Sequence, residues 1–220
     1  MIDLSTWNIT VPEQVSARTV ETRLVKAGFS NKYFYRNGRA IVFWSPVTGT
    51  TKGSSSFPRS ELRETFKDGK LRNWYYREGT HTMRASLAVN QVPSEGRIVI
   101  GQVQSKDNPT PFVKLVYTQL RGVGYVQVMV RHRPYDVKSP MVMTYKSMPL
   151  NYPFTYTLQV TKAGQLKVNV AGLQYEEKIH PAWAKKRFYF KAGVYTLDKH
   201  GPSTEGGKAT FSALSVSHKP

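Results

Sequence analysis

Three short segments of the sequence carry large polar side chains at every second position. These side chains belong to Arg59, Glu61 and Arg63 in RSELRE, to Gln102 and Gln104 in IGQVQ, and to Tyr189, Lys191 and Tyr195 in YFKAGVY. Alternation with a period of two is typical of β-strands, whose successive side chains point to opposite faces. Guanidinium, ammonium and amide groups bind carboxylates, and a phenol can transfer a proton. The pattern predicts either an anion-binding face with a proton-transfer group or an ordinary solvated sheet face, and alternation alone leaves both open.

The overall charge favours an anionic partner. The chain has 32 Lys and Arg against 14 Asp and Glu, which gives a formal charge of +18. Such an excess concentrates polyanions near the surface, so acidic glycans, nucleic acids and anionic membranes are all candidate partners. Cysteine is absent, which excludes disulfides and thiolate metal sites.

The sequence gives no sign of a membrane segment, and it leaves the compartment open. No run approaches the roughly 18 apolar residues that a membrane helix needs, so we expect no membrane partner. The first residues show no signal-peptide pattern. The protein is therefore expected to be secreted or periplasmic if a leader has been removed, and cytoplasmic otherwise.

The elements that position the polar residues are predicted to be short strands broken by Gly, Pro, Asn and Ser. The candidate strands are Ala40–Trp44, Arg59–Phe66, Gly79–Val89, Arg97–Gln104, Pro111–Thr118, Gly124–Arg131, Phe154–Val160, Gln165–Val170, Arg187–Leu197 and Ala209–Ser217. Lys162–Gln165 is expected to form a hairpin turn, Ser16–Ala27 a helix, and Pro181–Lys186 one helical turn. The spacing predicts one all-β domain over residues 1–220, a sandwich or jelly roll. The loop Ser45–Pro58 either lies over a binding face or simply connects two strands.

Four segments resemble signature blocks of polysaccharide lyase family 7, the alginate lyases. RSELRE at 59–64 and YFKAGVY at 189–195 carry the resemblance, and Asp3–Pro12 and Gly79–Ala85 add to it in the family's order. The resemblance implies a jelly-roll sandwich of two antiparallel sheets, with a concave sheet that forms the substrate cleft. It also implies that an acidic polysaccharide of 1,4-linked uronic acids, alginate above all, is cleaved by β-elimination.

β-Elimination of a uronate chain removes the C5 proton and expels the oxygen at C4. It needs a group that neutralises the C5 carboxylate, a base and an acid. Arg59 suits the first role because a guanidinium holds a carboxylate through two hydrogen bonds, and Gln102 adds an uncharged donor. Tyr195 matches the family's tyrosine and is the expected proton-transfer group, and the alternative is a structural tyrosine.

Five further residues are expected to bind the substrate on either side of the reacting sugar. They are Arg63, Gln104, Lys114, Tyr189 and Lys191. For Arg63, an ion pair with Glu61 is an equally good interpretation. Lys114 has the weaker case, because solvated strand lysines are common.

The central block departs from the family pattern, Gln-Ile-His or Gln-Val-His, because this chain has Gln102-Val103-Gln104. A glutamine side chain cannot accept a proton near neutral pH. In guluronate the C5 proton and the C4 oxygen lie on opposite ring faces, so elimination benefits from a base opposite the tyrosine. In mannuronate and glucuronate they lie on the same side. We therefore expect Tyr195 to act as base and then acid, with mannuronate- or glucuronate-type linkages favoured.

The five histidines are the other candidate bases, although each is more typical of a surface or structural position: His81, His132, His180, His200 and His218. No spacing typical of a metal site occurs, so we expect no metal and no cofactor. A non-catalytic protein that binds acidic glycans is an alternative function. A specific nucleic-acid binder is disfavoured, because RNP-like, zinc-finger and helix-turn-helix patterns are absent. We expect a monomer.

Overall fold

The computed structural model describes all 220 residues and consists almost entirely of strands. The strands are β1 (Trp7–Val11), β2 (Arg18–Val20), β3 (Phe34–Asn37), β4 (Ala40–Pro46), β5 (Arg59–Glu64), β6 (Thr80–Gln91), β7 (Arg97–Ser105), β8 (Val113–Leu120), β9 (Val123–Val130), β10 (Met141–Lys146), β11 (Phe154–Val160), β12 (Gln165–Val170), β13 (Leu173–Lys178), β14 (Phe188–Thr196) and β15 (Gly206–Lys219). One short helix, α1 (Thr22–Lys26), and two 3₁₀ turns, Tyr76–Glu78 and Pro181–Lys185, complete the fold. No helix has the length and apolarity needed to cross a bilayer.

The strands form two antiparallel sheets that pack face to face. One sheet has eight strands in the order β10-β9-β8-β7-β14-β5-β1-β2, and the other has seven in the order β13-β12-β11-β6-β15-β4-β3. Neighbours such as β7 and β14 are distant in sequence, which is typical of a jelly roll and not of a simple meander. The predicted all-β sandwich is confirmed.

A continuous apolar core of 45 buried residues fills the space between the sheets. Strand β11 illustrates how the sequence produces it, because Phe154, Tyr156, Leu158 and Val160 are buried while the residues between them are half-buried. Burying each such side chain contributes about 1.5–3 kcal/mol. A shift by one residue would turn all of them outward, so the alternation fixes the register of the strand.

The predicted helix at Ser16–Ala27 is wrong over most of its length. Arg18–Val20 pairs with β1 as strand β2, and only Thr22–Lys26 is helical. Pairing with β1 buries Val20 against the core, and this tertiary contact outweighs local helix propensity. The hairpin turn between β11 and β12 is confirmed, and Gly164 adopts a positive φ of 89° there.

Candidate active site

Adjacent strands of the eight-stranded sheet, in the order β8-β7-β14-β5, bring the predicted site residues together. The register places Tyr195 opposite Arg59, and Lys191 between Gln102 and Arg63. Directly opposed residues share one face of a sheet. Segments that are distant in sequence therefore contribute side chains to a single surface.

A second set of opposed pairs extends this surface towards β8. Gln104 lies opposite Tyr189, and Lys114 lies opposite Gln102. Amide, phenol and ammonium groups thus continue the polar face across the sheet. The paired polar residues noted in the sequence lie on one face, as their alternation predicts.

The surface is the floor of a cleft of about 570 Å³. Its lining includes seven of the eight predicted site residues, namely Arg59, Gln102, Gln104, Lys114, Tyr189, Lys191 and Tyr195, and it also includes Lys52, Ser55, Phe57 and Arg131. A larger groove of about 670 Å³ is lined mainly by residues of β11, β12 and β13, and it contains none of the predicted residues. Clustered ionisable groups with shifted pKa values mark the smaller cleft as the candidate active site.

Glu61 lies beneath the cleft and connects three of its residues. It is 1% exposed, and its carboxylate accepts hydrogen bonds from Arg59 at 2.6 Å, from Lys191 at 2.8 Å and from the Gln102 amide at 2.8 Å. Burial alone would raise the pKa of Glu61, but Lys191 and Arg59 hold it below its usual value. The sequence pattern suggested only a pairing of Glu61 with Arg63, although the position of Glu61 between two arginines on one face was a usable signal.

The pKa of Lys191 lies well below its ordinary value. Burial lowers its pKa to about 8, Glu61 opposes this change, and the neighbouring Arg59 adds to it. The ammonium is nevertheless ion-paired with Glu61. Arg59 and Lys191 therefore face the one buried carboxylate as two cations, which leaves net positive charge for an anionic ligand.

Arg59 and Tyr195 are in direct contact. The Arg59 guanidinium carbon lies 3.9 Å from the centre of the Tyr195 ring, a cation–π geometry. Two of the five N–H groups of a guanidinium are used by Glu61 and Ser55, so three have no side-chain or backbone partner in the protein. Phe57 also packs against the tyrosine in an edge-on arrangement, with ring centres 6.1 Å apart.

Gly193 allows β14 to present both ends of its motif to the cleft. An extra residue in β14 opposite β7 forms a bulge between Ala192 and Tyr195. Gly193 lies in this bulge with a φ of 139°, and a Cβ atom there would lie 2.6 Å from the Ser60 carbonyl oxygen. Only glycine fits, and bulges of this kind re-aim the side chains that follow them.

Arg63 is placed differently from the other predicted site residues. Its guanidinium donates to the Glu64 and Arg72 carbonyl oxygens and to the Asn73 side chain. It also stacks at 3.6 Å on the Tyr189 ring. The ion pair with Glu61 is not formed, and a substrate-binding role for Arg63 stays a prediction.

Lys114, Gln104 and Arg131 form the side of the cleft nearest to β8. Burial, together with Arg131 and Arg97, lowers the pKa of Lys114. The Gln104 side-chain oxygen accepts a hydrogen bond from the Ser105 N–H at 3.0 Å. Arg131, which the sequence analysis missed, donates to backbone carbonyl groups and makes no ion pair. This side of the cleft is therefore cationic as well.

None of the histidines lines the cleft. His132 pairs with Glu177 at 2.8 Å. His218 bonds to Glu64 at 2.9 Å and to His81 at 2.8 Å inside the sandwich, where burial and His218 lower the pKa of His81 to about 4. The other two, His180 and His200, are exposed. No histidine occupies the place where the family has its base.

Comparison with known proteins agrees with this geometry. The family model described as alginate lyase matches residues 2–218. An alginate lyase from Klebsiella pneumoniae is 24% identical, and the match covers 98% of this chain and 89% of that protein.

Solved structures extend the comparison to the fold. An alginate lyase from Pseudomonas aeruginosa is 42% identical with a TM-score of 0.96, and the match covers 99% of this chain and all of that one. Alginate lyase A1-II′, a member of polysaccharide lyase family 7, is 29% identical with a TM-score of 0.89, covering 99% of this chain and 96% of that one. The chain belongs to the alginate lyases of polysaccharide lyase family 7 and is a polysaccharide lyase.

Proposed function

We propose that this lyase uses Arg59, Gln102 and Tyr195 to cleave 1,4-linked uronate chains by β-elimination, and that it favours mannuronate- or glucuronate-type linkages. The observation that carries the proposal is the contact between the Arg59 guanidinium and the Tyr195 ring, 3.9 Å apart, in a cleft where Gln104 replaces the usual histidine. The acidic polysaccharide is the only partner that the proposed mechanism requires.

In the proposed first step, the substrate carboxylate lies against Arg59 and the remaining N–H of the Gln102 amide. Both groups stabilise the negative charge that moves onto the carboxylate when the C5 proton leaves. An amide nitrogen has two hydrogens, so Gln102 keeps one for the substrate while the other bonds to Glu61. Lys191 and Lys114 supply the positive charge that attracts neighbouring sugar carboxylates.

The proton transfers are assigned to Tyr195. As a phenolate it takes the C5 proton, and the electron pair of the broken C–H bond becomes the new double bond between C4 and C5. The C4–O bond then breaks, and the phenol returns its proton to the leaving oxygen. One residue can do both only if the proton and the leaving oxygen lie on the same side of the ring, as in mannuronate and glucuronate.

Relatives support a catalytic tyrosine. A variant of A1-II′ with one tyrosine replaced by phenylalanine forms a complex with product, and a variant that also lacks one histidine forms a complex with substrate. Replacing residues that turnover requires is a usual way to keep a substrate intact. The present chain has only the tyrosine of such a pair in its cleft, which favours the single-residue mechanism.

A substrate panel tests the proposal. The absorbance of the unsaturated product would be followed on polymannuronate, polyguluronate and glucuronan with the parent, Tyr195→Phe and Gln104→His. We expect Tyr195→Phe to lose about 10²–10⁴-fold in kcat, the usual contribution of a proton-transfer group, while it still binds alginate. Gln104→His should gain activity on polyguluronate. A parent enzyme that turned over polyguluronate fastest would contradict the preference, and an active Tyr195→Phe would contradict the role of Tyr195.

A further inference from the structure

Ser55 is the one residue of the loop between β4 and β5 whose side chain joins two proposed catalytic groups. Its hydroxyl oxygen lies 3.2 Å from the Tyr195 hydroxyl and 3.1 Å from an Arg59 guanidinium nitrogen. It also lies 3.0 Å from the Phe57 carbonyl oxygen. From the sequence alone, this loop is expected either to cover the binding face or to be a plain connection.

The hydrogen-bond inventory of a serine fixes the direction of these contacts. A hydroxyl has one hydrogen to donate and two lone pairs that accept. A carbonyl oxygen can only accept and a guanidinium can only donate, so Ser55 donates to Phe57 and accepts from Arg59. Its second lone pair is then satisfied only if Tyr195 donates. This arrangement holds the tyrosine as a neutral phenol with its proton directed at Ser55.

We propose that Ser55 is a positioning residue that orients Tyr195 in both of its protonation states. This inference rests on the proposed role of Tyr195. When the phenol loses its proton to solvent, the Ser55 hydroxyl turns its hydrogen from the Phe57 carbonyl to the phenolate oxygen. The rotation needs no other movement, because the three partners already surround the same oxygen atom. Ser55 thereby holds the phenolate in place while the hydrogen bond from Arg59 to Ser55 remains.

The surroundings suit a phenolate at this position. The charged and titratable groups of the same cleft come from four sources: Lys52 in the loop, Arg59 with the buried Glu61 on β5, Tyr189 and Lys191 on β14, and Lys114 and Arg131 on the β8 side. Cations outnumber the single carboxylate, and that carboxylate is bonded to two of them. An anionic oxygen held by Ser55 therefore faces a positive environment.

Steady-state kinetics on alginate with Ser55→Ala, Ser55→Thr and a control would test the inference. We expect Ser55→Ala to lower kcat roughly 10- to 100-fold, the factor that corresponds to one hydrogen bond to a charged group, with KM changed less than about twofold. Ser55→Thr keeps the hydroxyl and should restore most of kcat. The control is Thr51→Ala, which removes an exposed hydroxyl from the same loop that makes no side-chain hydrogen bond. An unchanged kcat in Ser55→Ala, or no rescue by threonine, would overturn the inference.

A double-mutant cycle with Tyr195→Phe separates positioning from a general effect on the loop. Because Ser55 acts through the tyrosine hydroxyl, Ser55→Ala should have no further effect on residual turnover in the Tyr195→Phe background. Binding of an alginate oligosaccharide, measured by calorimetry, should be equal in Tyr195→Phe and in the double variant. A further loss of turnover or binding would mean that Ser55 acts through Arg59 or through the loop and not through the tyrosine hydroxyl, and it would overturn the inference. An active Tyr195→Phe would instead refute the proposed function itself, which keeps the two failures distinguishable.

Discussion

Strand β5 carries two buried carboxylates that point to opposite faces of the sheet. Glu61 faces the cleft and Glu64 faces the interior of the sandwich, and the exposed fractions of the two residues are 1% and 0%. Both residues are nearly inaccessible to water, so each charge must be compensated by the protein. The chemical nature of the compensating groups is what differs.

The charged partners of Glu61 are two cations that line the open cleft. Arg59 and Lys191 lie 2.6 and 2.8 Å from its carboxylate, and both line the open cleft. The side chains of Arg59 and Lys191 are 18% and 12% exposed. The Glu61 carboxylate thus fixes the positions of two cations that face the open cleft.

The partners of Glu64 lie in the interior of the sandwich and not in the cleft. It accepts hydrogen bonds from the Trp74 indole, from the Phe190 backbone N–H at 3.0 Å and from His218 at 2.9 Å. The His218 ring continues to His81, which stacks on Trp74 with ring centres 4.0 Å apart. This carboxylate ties β5 and β14 of one sheet to β15 and β6 of the other. We therefore expect Glu61 to serve function and Glu64 to serve stability, although both lie on one strand.

The largest effect is expected from Glu64→Ala. Removing this carboxylate leaves the indole, the backbone N–H and the histidine without a partner in the core, and breaking a buried pair typically costs about 3–5 kcal/mol. Urea denaturation should show this loss in the free energy of unfolding, while kcat of the folded enzyme on alginate stays within about twofold of the parent. Glu64→Gln keeps an oxygen acceptor and should cost less. A stable Glu64→Ala variant with impaired turnover would contradict the prediction that Glu64 serves stability and not catalysis.

Glu61→Gln should have the opposite profile. The amide retains the shape of the side chain but cannot balance Arg59 and Lys191, so the two cations separate and lose their alignment with the substrate. We expect kcat/KM on alginate to fall about 100-fold, equivalent to about 2.7 kcal/mol. The free energy of unfolding should fall by only about 1–2 kcal/mol, because water can enter the cleft and Lys191 can release its proton. Equal destabilisation by Glu61→Gln and Glu64→Ala would remove the distinction.

Of the five strands missing from the set predicted by alternation, four lie at the sheet edges. β2 and β10 end the eight-stranded sheet, and β3 and β13 end the seven-stranded sheet. β13 illustrates the reason, because none of its six residues is buried. A strand without a fully buried residue has little need of apolar alternation. Central strands such as β11 and β12 were predicted with their observed bounds, because both alternate regularly.

The candidate site shows a similar division. Alternation and family resemblance predicted seven of the residues that line the cleft. They did not predict Ser55 and Arg131, which reach it from a loop and from the end of β9, because their positions depend on how the chain folds back over the sheet. The central position of Glu61 was also not predicted. It depends on the strand order β7-β14-β5, which brings Gln102 and Lys191 to the same side of Glu61. Non-local register of this kind is not encoded in local pattern.

The smallest predicted effect concerns the protonation of Lys191. As the pH rises, substrate binding should weaken while folding stability increases. Its pKa in the folded protein is about 8, below the ordinary value of 10.5. Above pH 8 the ammonium loses its charge, so KM for alginate should rise several-fold between pH 7 and 9.5 at constant ionic strength. The unfolded chain holds this proton up to higher pH, so between about pH 8 and 10.5 the same residue makes folding stability increase with pH.

Lys191→Arg provides the matched comparison, because a guanidinium stays charged throughout this range. Its KM should vary less with pH than that of the parent, and its free energy of unfolding should lack the alkaline gain. Both quantities are measured at the same pH values. Substrate binding weakens with rising pH while folding stability increases only if the charged form of Lys191 favours substrate binding and its burial is unfavourable. If KM of the parent were independent of pH up to 9.5, the charge of Lys191 would not contribute to substrate binding, and Glu61 would serve Arg59 alone.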